Sequence, residues 1–81
     1  MSEDQVRAVI AQYGKLPGGA DSIAATDDLY QAGLTSHASV NVMLALEDEF
    51  DIEFPDAMLK KATFASIAAI SEAVEQIQSE S

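Results

Sequence analysis

Residues 32–50 read AGLTSHASVNVMLALEDEF, and the way this stretch folds decides the reading of the rest of the chain. From Ser36 onward, Val40, Met43, Leu44, Leu46 and Phe50 recur at helical spacing as a wide apolar stripe. Asn41, Glu47, Asp48 and Glu49 lie partly or wholly off that stripe. The turn residues Gly33, Leu34 and Thr35 precede it, so a helix is expected over Ser36 to Phe50 with Thr35 or Ser36 as its N-cap. A hydroxyl held at a helix start then needs a purpose.

Downstream, DIEFPD ends the helix, because Pro55 disfavours a helical Phe54. Asp56 to Lys61 is long enough for one short helix, with Met58 and Leu59 expected to face inward. Thr63 and Ser66 signal a new start, and Phe64, Ile67, Ile70, Val74 and Ile77 then repeat at three and four residues. The closing QSES is a polar tail expected to fray.

Upstream, Val6, Val9, Ile10 and Tyr13 mark a first helix, with Ser2, Glu3 and Asp4 supplying its cap and acidic first turn. Gly14, Pro17, Gly18 and Gly19 break it and open a connection that runs to about Thr35. A connection that long needs apolar anchors, and Leu16, Ile23, Leu29 and Leu34 are the candidates. No segment alternates with period two long enough to argue a strand. The fold class expected is all-α: a small four-helix bundle of three main helices plus one short one, with a long loop between the first and second. Residues 1–81 form a single domain in this reading, with the second and last helices both facing the first.

Composition narrows the function. Fourteen acidic against four basic residues give a formal charge of -10, which repels nucleic acid and anionic membrane surfaces and favours a basic protein partner. With 48% apolar residues the chain is too hydrophobic for a disordered tail, and its charge favours a monomer. No cysteine is present, so disulfides, thiolate zinc sites and a cysteine nucleophile are excluded. The N-terminus lacks a long apolar segment, and a cytoplasmic protein without signal peptide or membrane span is expected. The acids from Asp48 to Asp56 lack the spacing and central glycine of an EF-hand, so no metal site is assigned.

Three roles compete for Ser36. It is a plain N-cap, a catalytic nucleophile, or a site of covalent modification. The nucleophile fails on geometry, because His37 is the one histidine and adjacent helical residues point about 100° apart. The strand-turn-helix elbow of serine hydrolases is also missing. A modification site would let a chain without a thiol borrow one from a phosphate-linked arm.

Gly33, two residues, Ser36, then VNVMLALEDEFDIEFPD and Lys61-Ala62-Thr63 together resemble the acyl carrier proteins. The resemblance is strongest from about Asp28 to Ile70. It implies a non-enzymatic carrier in which Ser36 bears 4'-phosphopantetheine through a phosphodiester, attached by a phosphopantetheinyl transferase, with Thr35 and His37 flanking the group. Fatty-acid carriers usually read Asp-Ser-Leu here, with further acids in the next turn. This chain has Thr35-Ser36-His37, followed by Ala38 and Asn41. Those departures move the acidic face towards Glu47, Asp48, Glu49, Asp51 and Glu53 and point to a dedicated partner, read through His37, Asn41, Glu47 and Asp48.

More narrowly, GLTSHASVNVMLALEDEFDIEFPDAMLKK looks like the stand-alone bacterial aminoacyl carrier proteins. That resemblance implies loading by an amino acid:[carrier protein] ligase similar to a truncated seryl-tRNA synthetase, with the amino acid held as a thioester. The alternatives are a fatty-acid or polyketide carrier, served by another acyl-loading enzyme, and an acidic helical interaction module that is never modified. A fatty chain would need a cleft lined by Met43, Leu46, Phe50, Phe54, Met58 and Ile67. In so small a domain those residues are expected to fill the core instead.

Overall fold

The computed structural model describes residues 3–80. It is all-helical, with no strand among the described residues: α1 (Glu3–Tyr13), α2 (Ser36–Phe50) and α3 (Ile67–Glu80), with two 3-10 helices, Asp56–Met58 and Lys61–Phe64, between α2 and α3. The expected cap at Ser2 lies outside the described residues.

The buried side chains form one cluster drawn from every region. Val6, Val9 and Ile10 come from α1, Val42 and Leu46 from α2, and Ile67, Ile70 and Val74 from α3. α1 packs against both α2 and α3, and α3 packs against the second 3-10 helix. Tyr13, placed on the inner face of the first helix by its spacing, is instead 40% exposed.

Helix α2 departs furthest from expectation. Its inner column is Ala38, Val42 and Leu46, at four-residue intervals, while Val40 and Leu44 are 50% and 53% exposed. Val42 fixes the inner direction, and a residue two positions to either side lies about 200° around the helix. The chain thus places large apolar groups on the outer face of α2 as well as the inner one.

The expected short helix over Asp56 to Lys61 is two 3-10 pieces, with Leu59 and Lys60 between them in non-helical backbone. A run this short forms too few bonds to offset nucleation, so tertiary contacts dictate its shape. Phe64 supplies such a contact, its ring meeting Phe54 edge-on at a centroid distance of 5.4 Å. Leu59, expected inside, is 45% exposed. The last helix begins at Ile67, with Ser66 Oγ accepting from Ala69 N, and continues through Glu80, so Gln78, Ser79 and Glu80 are helical rather than a frayed tail.

Residues 14–35 run through turns without a helix or strand. Leu29 and Leu34 are buried in the cluster, with Leu16 and Ile23 packed against it. The backbone is tied as well: Leu29 N donates to Ala65 O and Ala68 N to Ala25 O. From the other side, the Arg7 guanidinium of α1 donates to Ala20 O and Ile23 O. Two carbonyls outside any helix or strand thus gain a donor from one helical side chain, Ala20 O accepting from Ile23 N as well.

Candidate functional site

The approach to α2 is set by Gly33, whose φ is +117°, a region that side chains disfavour. A Cβ here would also stand 2.6 Å from Pro17 Cδ, so the turn needs glycine on two counts. Leu34 follows as a buried anchor, its N–H donating to Leu29 O.

Thr35 is the N-cap of α2: its backbone is extended, and Oγ1 accepts from Ala38 N at 3.0 Å. Ser36 is therefore the first helical residue and not the cap. Its side chain is exposed, and its hydroxyl makes no hydrogen bond among the described residues. The neighbouring serine is engaged locally, with Ser39 Oγ donating to Ser36 O at 2.7 Å. One hydroxyl does the structural work at this helix start, and the next is left free in solvent.

Ser36 lines a groove of about 590 Å³ together with Tyr30, Leu34, Thr35, Ser39, Val40, Met43, Leu59, Lys60, Lys61 and Phe64. These residues include no histidine and no carboxylate to take the serine's proton. Lys61 is held over Tyr30, its Nζ 4.8 Å from the ring centroid.

The other residues singled out in the sequence scatter. His37 is exposed and lines neither groove. Asn41 and Asp48 line a second groove of about 500 Å³ beside the end of α1, with Tyr13, Lys15 and Leu44. Glu47 is half-buried, and its carboxylate accepts the Phe54 N–H at 2.9 Å, so it holds the chain beyond α2. Of the six residues expected to line an acyl cleft, Leu46, Phe54 and Ile67 are buried in the core, and only Met43 reaches the Ser36 groove.

Tyr30, Val40, Leu59, Lys60 and Lys61 were not anticipated at the site. The adjacent lysines were the available signal, because they are two of only four basic residues. All four of the large apolar side chains found exposed among the described residues flank α2: Val40 and Leu59 in the first groove, Tyr13 and Leu44 in the second.

The site thus sets an exposed serine at a helix start beside a groove lined by apolar side chains and two lysines. Residues 4–74 match the family model described as the phosphopantetheine attachment site, and the chain belongs to that family of phosphopantetheine carriers, which are not enzymes. Within it, the chain is 51% identical over 72 residues to an aminoacyl carrier protein of Agrobacterium fabrum, covering 89% of this chain and 87% of that one. A carrier protein from Agrobacterium tumefaciens, solved with an engineered Bradyrhizobium japonicum glycine:[carrier protein] ligase and AMP, is 49% identical. It superimposes with a TM-score of 0.88 over 90% of this chain and 97% of that one. The match to a structure of the Bradyrhizobium japonicum ligase with glycylated carrier protein has a TM-score of 0.75 at 25% identity, covering 88% and 95% of the two chains.

Proposed function

We propose that Ser36 is the attachment residue, and that the protein carries an amino acid as a thioester on the phosphopantetheine arm bound there. The observation that carries this reading is the idle, exposed Ser36 hydroxyl beside a cap already supplied by Thr35. The arm supplies a thiol to a chain that has no cysteine. The protein supplies the tether, which turns delivery into an intramolecular encounter at effective concentrations of order mM. The amino acid cargo is supported by the relatives named above, two of them solved with a glycine ligase. An aliphatic cargo is less well served, because Leu46, Phe54 and Ile67 are packed into the core.

Two enzymes are required: a phosphopantetheinyl transferase and an amino acid:[carrier protein] ligase. Both approach the outer face of α2, where Val40 and Leu44 offer apolar contact and His37, Asn41 and Asp48 offer polar contact. Glu47 contributes indirectly, by holding Phe54 in place. The carrier acts as a monomeric single domain over residues 1–81 in the cytoplasm, a setting consistent with no described helix being long and apolar enough to cross a membrane.

Intact mass of the protein purified from its own host, beside Ser36→Ala, tests the assignment. The wild type gains the mass of one phosphopantetheine, any further mass is released by hydroxylamine, and the variant gains neither. A wild type that stays unmodified even with CoA and a broad-specificity transferase would sink the carrier reading.

A further inference from the structure

Helix α1 ends against the usual preference, in which glycine takes the left-handed position after a helix. Here glycine falls one residue early. Gly14 is fixed by crowding, since a Cβ there would stand 2.7 Å from Ile10 O, and the left-handed conformation falls on Lys15, with φ +53°. An exposed lysine is thereby set in the lining of the second groove, which it shares with Asn41 and Asp48 of α2. Among the four basic residues it stands apart, because Arg7 is engaged with the turn carbonyls and Lys60 and Lys61 lie at the Ser36 groove. Asp48 is exposed too, and it forms no ion pair with Lys15 among the described residues. The same groove holds the exposed side chains of Tyr13 and Leu44. Packing of the fold explains neither the lysine in left-handed backbone nor the bare apolar pair beside it.

We propose that this second groove is the docking site of the amino acid ligase, which seats an apolar side chain against Tyr13 and Leu44, a carboxylate against Lys15 and a base against Asp48. The inference rests on the carrier reading of Ser36 and divides its two enzymes between two sides of α2. The residues that α2 gives this groove, Asn41, Leu44, Ala45 and Asp48, each lie five positions on from one that it gives the Ser36 groove, which is about 140° round the helix. The transferase must bring its reacting groups to Ser36 Oγ, so it needs the side that bears the serine. The ligase acts at the far end of the arm, so a surface turned away from the serine can hold the carrier for it. Charge then selects the partner. A net charge of -10 draws basic surfaces of every kind. One that crosses this groove without a carboxylate meets Lys15 as a like charge and is disfavoured, whereas the matching enzyme gains a pair there. Lys15 determines which enzyme docks and takes no part in forming the thioester.

Steady-state loading of the holo protein by the host's amino acid:[carrier protein] ligase, with its amino acid and ATP, tests this beside transfer of the arm from CoA to the apo protein. Lys15→Glu should raise the KM for the carrier in loading about tenfold with kcat unchanged, the size of one charge-assisted contact. Transfer of the arm should change by less than about twofold, as for an ordinary surface substitution. Lys15→Arg should load like the wild type. Lys15→Gly is the control for a purely structural role: it relieves the left-handed backbone, so the melting temperature should rise while the loading KM rises with it. A loading KM unchanged in both Lys15→Glu and Lys15→Gly overturns the docking site and leaves the carrier reading intact. Arm transfer that falls in parallel with loading also overturns it, because the two enzymes would then share one surface. An apo protein that takes no arm, or a holo protein that no host ligase loads, overturns the carrier reading and this proposal together.

Discussion

Helices α2 and α3 are nearly equal in length, fifteen and fourteen residues, and similar in mean apolar content, yet they treat their apolar side chains differently. In α3, Ile67, Ile70, Ala73 and Val74 are all buried, Ile77 packs against them, and the outer face is Glu72, Glu75 and Gln76. In α2 a narrow inner column of Ala38, Val42 and Leu46 serves the core, while Val40 and Leu44 stand outside. Isolated exposed apolar residues are ordinary. Here the four exposed ones gather around a single helix, and that helix begins with the free serine. The contrast separates a helix that turns its apolar side chains to the core from one that leaves some of them on its outer face.

The sharpest way to break the contrast is a pair of leucines two residues apart. Leu46→Ala empties a fully buried site and should cost about 2–5 kcal/mol in denaturant unfolding. Leu44→Ala should leave stability within about 0.5 kcal/mol, as expected of a surface position. It should instead lower kcat/KM for ligase-catalysed loading about tenfold, or ~1.4 kcal/mol. If both variants unfold alike, α2 has no functional outer face.

Arg7 tests whether the turns before α2 are held from α1. Arg7→Ala removes the donor to Ala20 O and Ile23 O and should destabilise the fold by about 1.5–3 kcal/mol. Faster amide exchange should appear first between residues 20 and 35. Uniform exchange along the chain would mean that the backbone ties to Ala65 and Ala25 suffice alone.

The smallest effect divides the two hydroxyls at the start of α2. Thr35→Ala removes the cap and should cost about 1 kcal/mol of stability while leaving attachment of the arm in place. Ser36→Ala should change stability by no more than about 0.5 kcal/mol, because its hydroxyl bonds to nothing described. Thermal unfolding of the two variants side by side reads this directly. Equal destabilisation would return Ser36 to the role of a cap.

Much of the site was legible in the residue order. The turn at Gly33, the hydroxyls at Thr35 and Ser36, the break at Pro55 and the restart at Ser66 are signals that act over three or four residues. Local steric and hydrogen-bonding preferences set them, whatever the rest of the chain does. The inner face of α2 was misread because its apolar residues sit all around the helix, so periodicity alone offered two answers. The segment after Pro55 was misread as one helix because its shape depends on Phe54 and Phe64 meeting across it. Arg7 carries no such local signal, since nothing near it in the chain reveals that it donates to carbonyls thirteen and sixteen residues away.

Residue order alone sets the helix starts and stops, the acidic surface, the absence of a thiol and the pair of hydroxyls at the start of α2. Packing in three dimensions settles which of two adjacent hydroxyls is the cap and which is free. It alone decided which face of α2 is buried, and it alone brought Lys60 and Lys61 into the groove that Ser36 lines. The division has a physical cause. Capping and turn preferences are written in neighbouring residues, whereas burial and the meeting of charges depend on which distant surfaces share the core, and no single segment encodes that choice.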